Sequence, residues 1–163
     1  MHSAYFATFA RYNAWANRRL YAACEKLSTA EYLRGRPSAW GSIHGTLNHV
    51  LVSDRIWLAR IEGRPVAGLR PDQILYADLI GLKIARIAED DRLRNLVDGL
   101  VEAKLDDVLE YSDSEGRRRE TPLRIVLGQL FNDHTHHRAQ AHALLFQTAV
   151  APPALGFDDF LRA

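Results

Sequence analysis

Apolar residues recur at spacings of three and four in four separate stretches of this chain, the seam left by helices packed side by side. In the first stretch, about Tyr5 to Leu27, the row is Phe6, Phe9, Asn13, Ala16, Leu20, Ala23 and Leu27. Asn13 interrupts that row, and Asn17 follows one turn later near the same face. A buried amide needs hydrogen-bond partners, so each is either a satisfied core group or part of a site. Gly35, Pro37 and Gly41 then break the pattern and mark a connection over 28–41. Ser42 is placed to cap a second helix, about Ile43 to Glu62, stopped by Gly63 and Pro65. Its stripe is Ile43, Leu47, Val50, Trp57, Leu58 and Ile61, with Asp54 among them. His49 lies off that stripe, on a second face with Ser53 and Ile56, so this helix is expected to meet neighbours on two sides.

Asp72 opens a third helical stretch reaching about Val101, with Ile80, Ile84, Ile87, Leu93, Leu96, Leu100 and Val101 as its apolar positions amid many exposed charges, and Gly81 and Gly99 weakening it. Residues 108–111 and 117–120 alternate around Ser112-Asp113-Ser114-Glu115-Gly116, which predicts a short hairpin. Thr121-Pro122 reads as a cap followed by proline in the first helical position. The last helix carries Leu123, Leu127, Leu130, Ala141, Leu144 and Leu145 to about Gln147, where Pro152 and Pro153 lie beyond its end. The tail from Leu155 to Leu161 is apolar enough to dock. The expected fold is all-α: one domain over 1–163, a four-helix bundle with a short hairpin before the last helix.

Composition narrows the function. Lys plus Arg total 21 and Asp plus Glu 20, a balance that gives no extended basic surface for nucleic acid or anionic membranes. No apolar run approaches the roughly 20 residues of a membrane helix, and the N-terminus lacks a secretory pattern. The single cysteine, Cys24, cannot form an internal disulfide, which suits a reducing, cytoplasmic setting; on the first helix it reads as a small apolar filler. The arginines 117–119 sit beside Glu115 and Glu120 in the hairpin and read as a solvated turn.

The histidines carry the chemistry. Of 7, four fall between His134 and His142. His134 and His137 stand three apart on the apolar stripe, and Asp133 and His137 four apart on its flank. Such spacings point two side chains at one ion. A further ligand has to come from another helix, for which His49 is the natural candidate and His44 the alternative. His136 points away from the stripe, and His142 and His2 read as surface or flank residues.

Three segments resemble the DinB/YfiT-like proteins: Tyr12-Asn13-Ala14-Trp15-Ala16-Asn17; Ser42-Ile43-His44-Gly45-Thr46-Leu47-Asn48-His49 with Asp54-Arg55-Ile56-Trp57; and Phe131-Asn132-Asp133-His134-Thr135-His136-His137-Arg138-Ala139-Gln140. The last is similar to the family's Asn-His-x-x-His-His-Arg-Gly-Gln signature. The resemblance spans about 5–147 and implies a four-helix bundle, commonly homodimeric, that holds a divalent metal by three histidines. Characterised relatives of the wider superfamily include thiol-dependent S-transferases and an isomerase that uses a low-molecular-weight thiol. The family's name refers to DNA-damage induction, a stress-linked regulation that does not imply DNA binding.

By that resemblance His49 matches the first ligand and His137 the last, while the remaining histidine position holds Asp133, with His134 one residue later and Ala139 in place of the usual glycine. Asp133 in place needs no change of helix phase and gives a two-histidine, one-carboxylate set for Zn, Ni or Fe. His134 is the alternative ligand, and loss of the metal the third outcome. Asn13, Asn17, Asp54, Arg138 and Gln140 are the expected pocket or supporting residues. The function these readings imply is a metal-dependent hydrolase or thiol S-transferase, with a non-catalytic dimeric bundle as the rival.

Overall fold

The computed structural model describes residues 2–66 and 68–163. The chain is mostly helical. Helices α1 (His2–Cys24), α2 (Thr29–Leu33), α3 (Ile43–Ile61) and α4 (Leu79–Asp98) lead through a 3-10 turn (Glu102–Asp106) to strands β1 (Val108–Ser112) and β2 (Arg118–Pro122), then α5 (Leu123–Leu145) and α6 (Phe157–Leu161). The long helix α1 packs on α4 and α3 on α5, and the two pairs meet through α3–α4 and α1–α5. No helix among the described residues is long and apolar enough to cross a membrane.

Local chemistry sets the boundaries. Ser42 caps α3 as expected, its Oγ accepting from the Gly45 N–H at 2.8 Å. The connection over 28–41 contains the short α2, capped by Ser28. Helix α4 starts at Asp78, not Asp72, with the Asp78 carboxylate accepting from Gly81 N–H at 2.8 Å. Thr121 and Pro122 do not open α5. They complete β2, opposite Leu109 and Val108, and Pro122 keeps an extended ψ of 138°. The Leu123 N–H then donates to the Asp107 carbonyl at 2.9 Å, so tertiary contact supplies the missing cap. The tail docks: Phe157 stacks on Phe9 at 5.0 Å, and the Tyr12 hydroxyl donates to the Leu155 carbonyl at 2.8 Å.

The interior is two apolar clusters with a charged layer between them. One cluster gathers Leu20, Leu47, Leu51, Leu82, Leu144 and neighbours, the other Phe6, Leu58, Leu93, Leu127, Leu130 and neighbours. Each long helix contributes polar residues to the layer: Asn13 and Asn17 from α1, Asp54 from α3, Arg86 and Asp90 from α4, His134 and Arg138 from α5. Arg86 pairs with Asp54 at 2.5 Å and with Asp90 at 3.0 Å. Asp90 accepts from the Asn13 and Asn17 amides at 3.1 and 3.0 Å, and Arg138 donates to the Asn13 carbonyl oxygen at 2.5 Å. Arg86 and Arg138 stand against Asp54 and Asp90 in this layer, the pairing under which buried charge is tolerated.

This layer divides the apolar positions of α4: Leu93 is buried and Leu96 packs against the core, but the isoleucines of the first turns are not inside. Ile80, Ile84 and Ile87 are exposed at 73%, 66% and 44%, whereas Arg86 is 2% and Asp90 4% exposed. Facing two carboxylates and two amides, the inner surface of α4 has to be charged over its middle turns, and the isoleucine stripe points out.

Candidate metal centre

His49 and His137 meet where α3 and α5 run antiparallel, their Nε2 atoms 3.1 Å apart. The other ring nitrogens are committed. His49 Nδ1 donates to the Pro71 carbonyl at 2.8 Å, and His137 Nδ1 faces Gln140 Oε1 at 3.0 Å. The Gln140 amide nitrogen in turn faces His136 Nε2 at 3.1 Å. With Nδ1 donating to the Pro71 carbonyl, His49 presents a lone pair on Nε2. His137 Nδ1 lies within reach of both Gln140 Oε1 and the Trp40 indole N–H, at 3.0 and 3.4 Å, so that His137 Nε2 either donates a proton to His49 or presents a second lone pair. Burial holds the His49 pKa below its usual 6.5 and favours that neutral form. At 3.1 Å the two Nε2 atoms are at hydrogen-bond distance, a separation that one shared proton or one bound cation fills, and second nitrogens bonded to oxygen acceptors are how metal-binding histidines are oriented.

Sequence-local features build this geometry. Trp40, in the loop before α3, stacks on the His49 ring with centroids 3.4 Å apart and planes 12° from parallel. Its backbone comes close because residue 45 is glycine: a Cβ there would overlap the Trp40 carbonyl oxygen. Asn48 is fully buried, and its Oδ1 accepts from the N–H groups of Leu75 and Tyr76 at 2.9 and 3.1 Å while its amide donates to the Tyr76 carbonyl at 3.2 Å. That clamp holds the loop that carries Pro71, the acceptor for His49.

Asp133 is partly exposed beside the pair. Its charge acts on His49, but its Oδ1 accepts from Gln129 at 2.8 Å. Among the described residues no three His, Cys, Asp or Glu side chains converge at one point. His134 faces elsewhere: it is 2% exposed, with Nε2 against Asp54 in the charged layer. Its helical phase turns it toward the core, where Asp54 engages it. Asn13, Asn17, Asp54 and Arg138 belong to that layer and not to a pocket at the histidines. Of the expected supporting residues, Gln140 alone bonds the pair, through His137. His44 is not at the pair either; its Nδ1 lies 3.1 Å from the Tyr32 hydroxyl. His136 points outward from the stripe, and His142 contacts the Pro153 carbonyl at 2.9 Å. The side chain of His2 lies outside what is described. Cys24 is buried, its thiol pushed up to about 12, which fits a filler and not a nucleophile.

Trp40, Asn48 and Gln129 were not singled out by the pattern of the sequence. Asn48 left a signal, an amide inside the apolar run from Leu47 to Val52. Trp40 left none, because a loop residue shows its contact only in three dimensions.

The protein is mostly helical and brings two histidines of different helices face to face across an antiparallel seam. The DinB family model matches residues 1–163, the whole chain, and the protein belongs to the DinB family. No curated protein matches the sequence.

Proposed function

We propose that this protein is a cytoplasmic, homodimeric four-helix bundle that binds a divalent transition metal through His49, His137 and Asp133. The bound ion, which we take to be Zn, Ni or Fe, would serve hydrolysis or S-transfer with a low-molecular-weight thiol. The observation that carries the reading is the facing Nε2 pair at 3.1 Å with both Nδ1 atoms bonded elsewhere. Two imidazoles and a carboxylate suit these ions, and Asp133, whose charge already acts on His49, would complete the set by turning away from Gln129. An ion held there supplies Lewis-acid chemistry, raising the acidity of a water or thiol. The residues of the chain do the rest: the Pro71 carbonyl fixes the His49 tautomer, Gln140 and the Trp40 indole hold the His137 ring at Nδ1, Trp40 shields one face of His49 from water, and Asn48 keeps the Pro71 loop in place.

The bond from Gln129 to Asp133 favours a second reading, a non-catalytic bundle whose metal site is degraded. Metal content of untagged protein separates the two. About one ion per chain is expected, lost in His49→Ala and Asp133→Ala and kept in His134→Gln. A protein that carries none and takes up none on adding Zn²⁺, Ni²⁺ or Fe²⁺ is the scaffold.

The dimer reading rests on the outward stripe of Ile80, Ile84 and Ile87, which follows one face of α4 and exposes apolar surface to a second copy. Ile84→Glu is expected to convert a dimer to a monomer in light scattering with no change in helical circular dichroism. A wild-type protein monomeric at high micromolar concentration would refute it.

A further inference from the structure

Arg60 lies eleven residues beyond His49 on α3, and Val126 eleven residues before His137 on α5. Eleven residues close three helical turns almost completely, so each pair shares a helix face and is separated by about 16 Å at 1.5 Å per residue. The histidines meet at one end of the α3–α5 seam. Arg60 and Val126 line a cavity of about 440 Å³ at the other, walled by the hairpin. Ser53, Ile56 and Asp133, between the ends, and Gln129, at the rim of the cavity, all keep solvent access.

Arg60 has what an anion needs and no anion of its own. Its guanidinium lies over the rings of Trp57 and Tyr111, at 4.6 and 4.9 Å. Nη2 donates to the Ser112 carbonyl at 2.7 Å, while the buried Nε–H has no partner. No carboxylate among the described residues forms an ion pair with it. Asp113, the acid of the same cavity, is taken by Arg117 and Arg119 at 3.3 and 2.8 Å. A half-buried guanidinium fixed by two aromatic faces and left without a counter-ion is a pre-organised receptor for a planar or tetrahedral anion. The desolvation that depresses its pKa is what a bound anion would offset.

We propose that this cavity is an anion subsite, holding the carboxylate or phosphate end of an extended substrate whose other end reaches His49 and His137. The inference rests on reading that pair as a metal centre. It assigns the hairpin a role as well, since Tyr111 and the Ser112 carbonyl fix Arg60 from that side.

The test follows the Arg60 Nε–H and Trp57 indole N–H resonances in metal-free protein at constant ionic strength. Inorganic phosphate and glutarate are titrated separately, and the tighter of the two identifies the kind of anion. Saturable shifts at both resonances are expected, with affinity falling roughly tenfold or more in Arg60→Gln and partly restored in Arg60→Lys. Absence of a saturable shift with either anion, or shifts unchanged in Arg60→Gln, overturns the subsite. A second arm uses Zn²⁺-loaded protein and compares a mercaptoalkanoate long enough to reach from the histidines to Arg60 with mercaptopropionate, which is not. The long compound should bind at least about tenfold tighter, and Arg60→Gln should remove the advantage. Equal binding of both overturns the extended substrate. Failure to take up Zn²⁺ sinks the metal reading and the spanning substrate with it, while the anion result at Arg60 stands or falls by the first arm.

Discussion

Arg86→Met is expected to destabilise the protein by about 3–5 kcal/mol, the range for removing one partner of a buried ion pair. Methionine fills much of the space but leaves Asp54 and Asp90, 1% and 4% exposed, facing each other without a cation. Desolvation pushes the Asp54 carboxyl up, and it is held below its usual value only because Arg86 and then His134 outweigh that burial. For Asp90 burial wins and its pKa is raised even with Arg86 in place. Without the guanidinium both carboxyls are driven toward the protonated form. Equilibrium urea unfolding at neutral pH measures the loss. Asp54→Asn added to Arg86→Met removes one of the stranded charges, so the double variant should be less damaged than the two single losses summed. A loss below about 1 kcal/mol in Arg86→Met would mean that water or rearrangement stabilises the layer and that its ion pairs contribute little.

The same layer explains what the sequence conceals. Asn13 and Asp54 stand out as polar residues in apolar rows, because the other members of those rows of α1 and α3 are apolar. Their partners Arg86 and Asp90 do not stand out: α4 is rich in charge all round, and its clearest periodic feature is Ile80, Ile84 and Ile87. Hydrophobic periodicity assigns that stripe to the core by default. What decides the outcome is compensation between helices, Arg86 against Asp54 of α3 and Asn13 and Asn17 against Asp90, and a single helix's pattern does not carry it. Helix starts divide in the same way. Ser42 caps from within its own segment and is readable, whereas Thr121 and Pro122 are claimed by the β1 ladder, a non-local contact. At the site, the identities of His49 and His137 were legible in motif and spacing. The devices that orient them were not, since Trp40 and the Pro71 carbonyl come from loops whose path is set by Gly45 and Asn48.

Those devices lead to the second large effect. Asn48→Ala is expected to lower stability by about 1–3 kcal/mol and to weaken metal affinity by roughly tenfold to a hundredfold, though Asn48 touches no ligand atom. The stability loss arises because the Leu75 and Tyr76 N–H groups and the Tyr76 carbonyl lose a partner inside a residue that is 0% exposed. Loss of affinity follows one step further on. Once the loop over 70–76 is released, the Pro71 carbonyl no longer accepts from His49 Nδ1, and the ring is free to change tautomer or rotate out from under Trp40. Asn48→Asp keeps the acceptor oxygen but places a carboxylate at a fully buried position facing the His44 and Tyr76 carbonyls, so it should lose at least as much stability at neutral pH as Asn48→Ala. Urea unfolding of metal-free protein reads the first effect, and competition with a chromophoric chelator reads the second. If Asn48→Ala loses stability but binds Zn²⁺ as tightly as wild type, the Pro71 loop is a structural strap alone, and His49 must be oriented by Trp40.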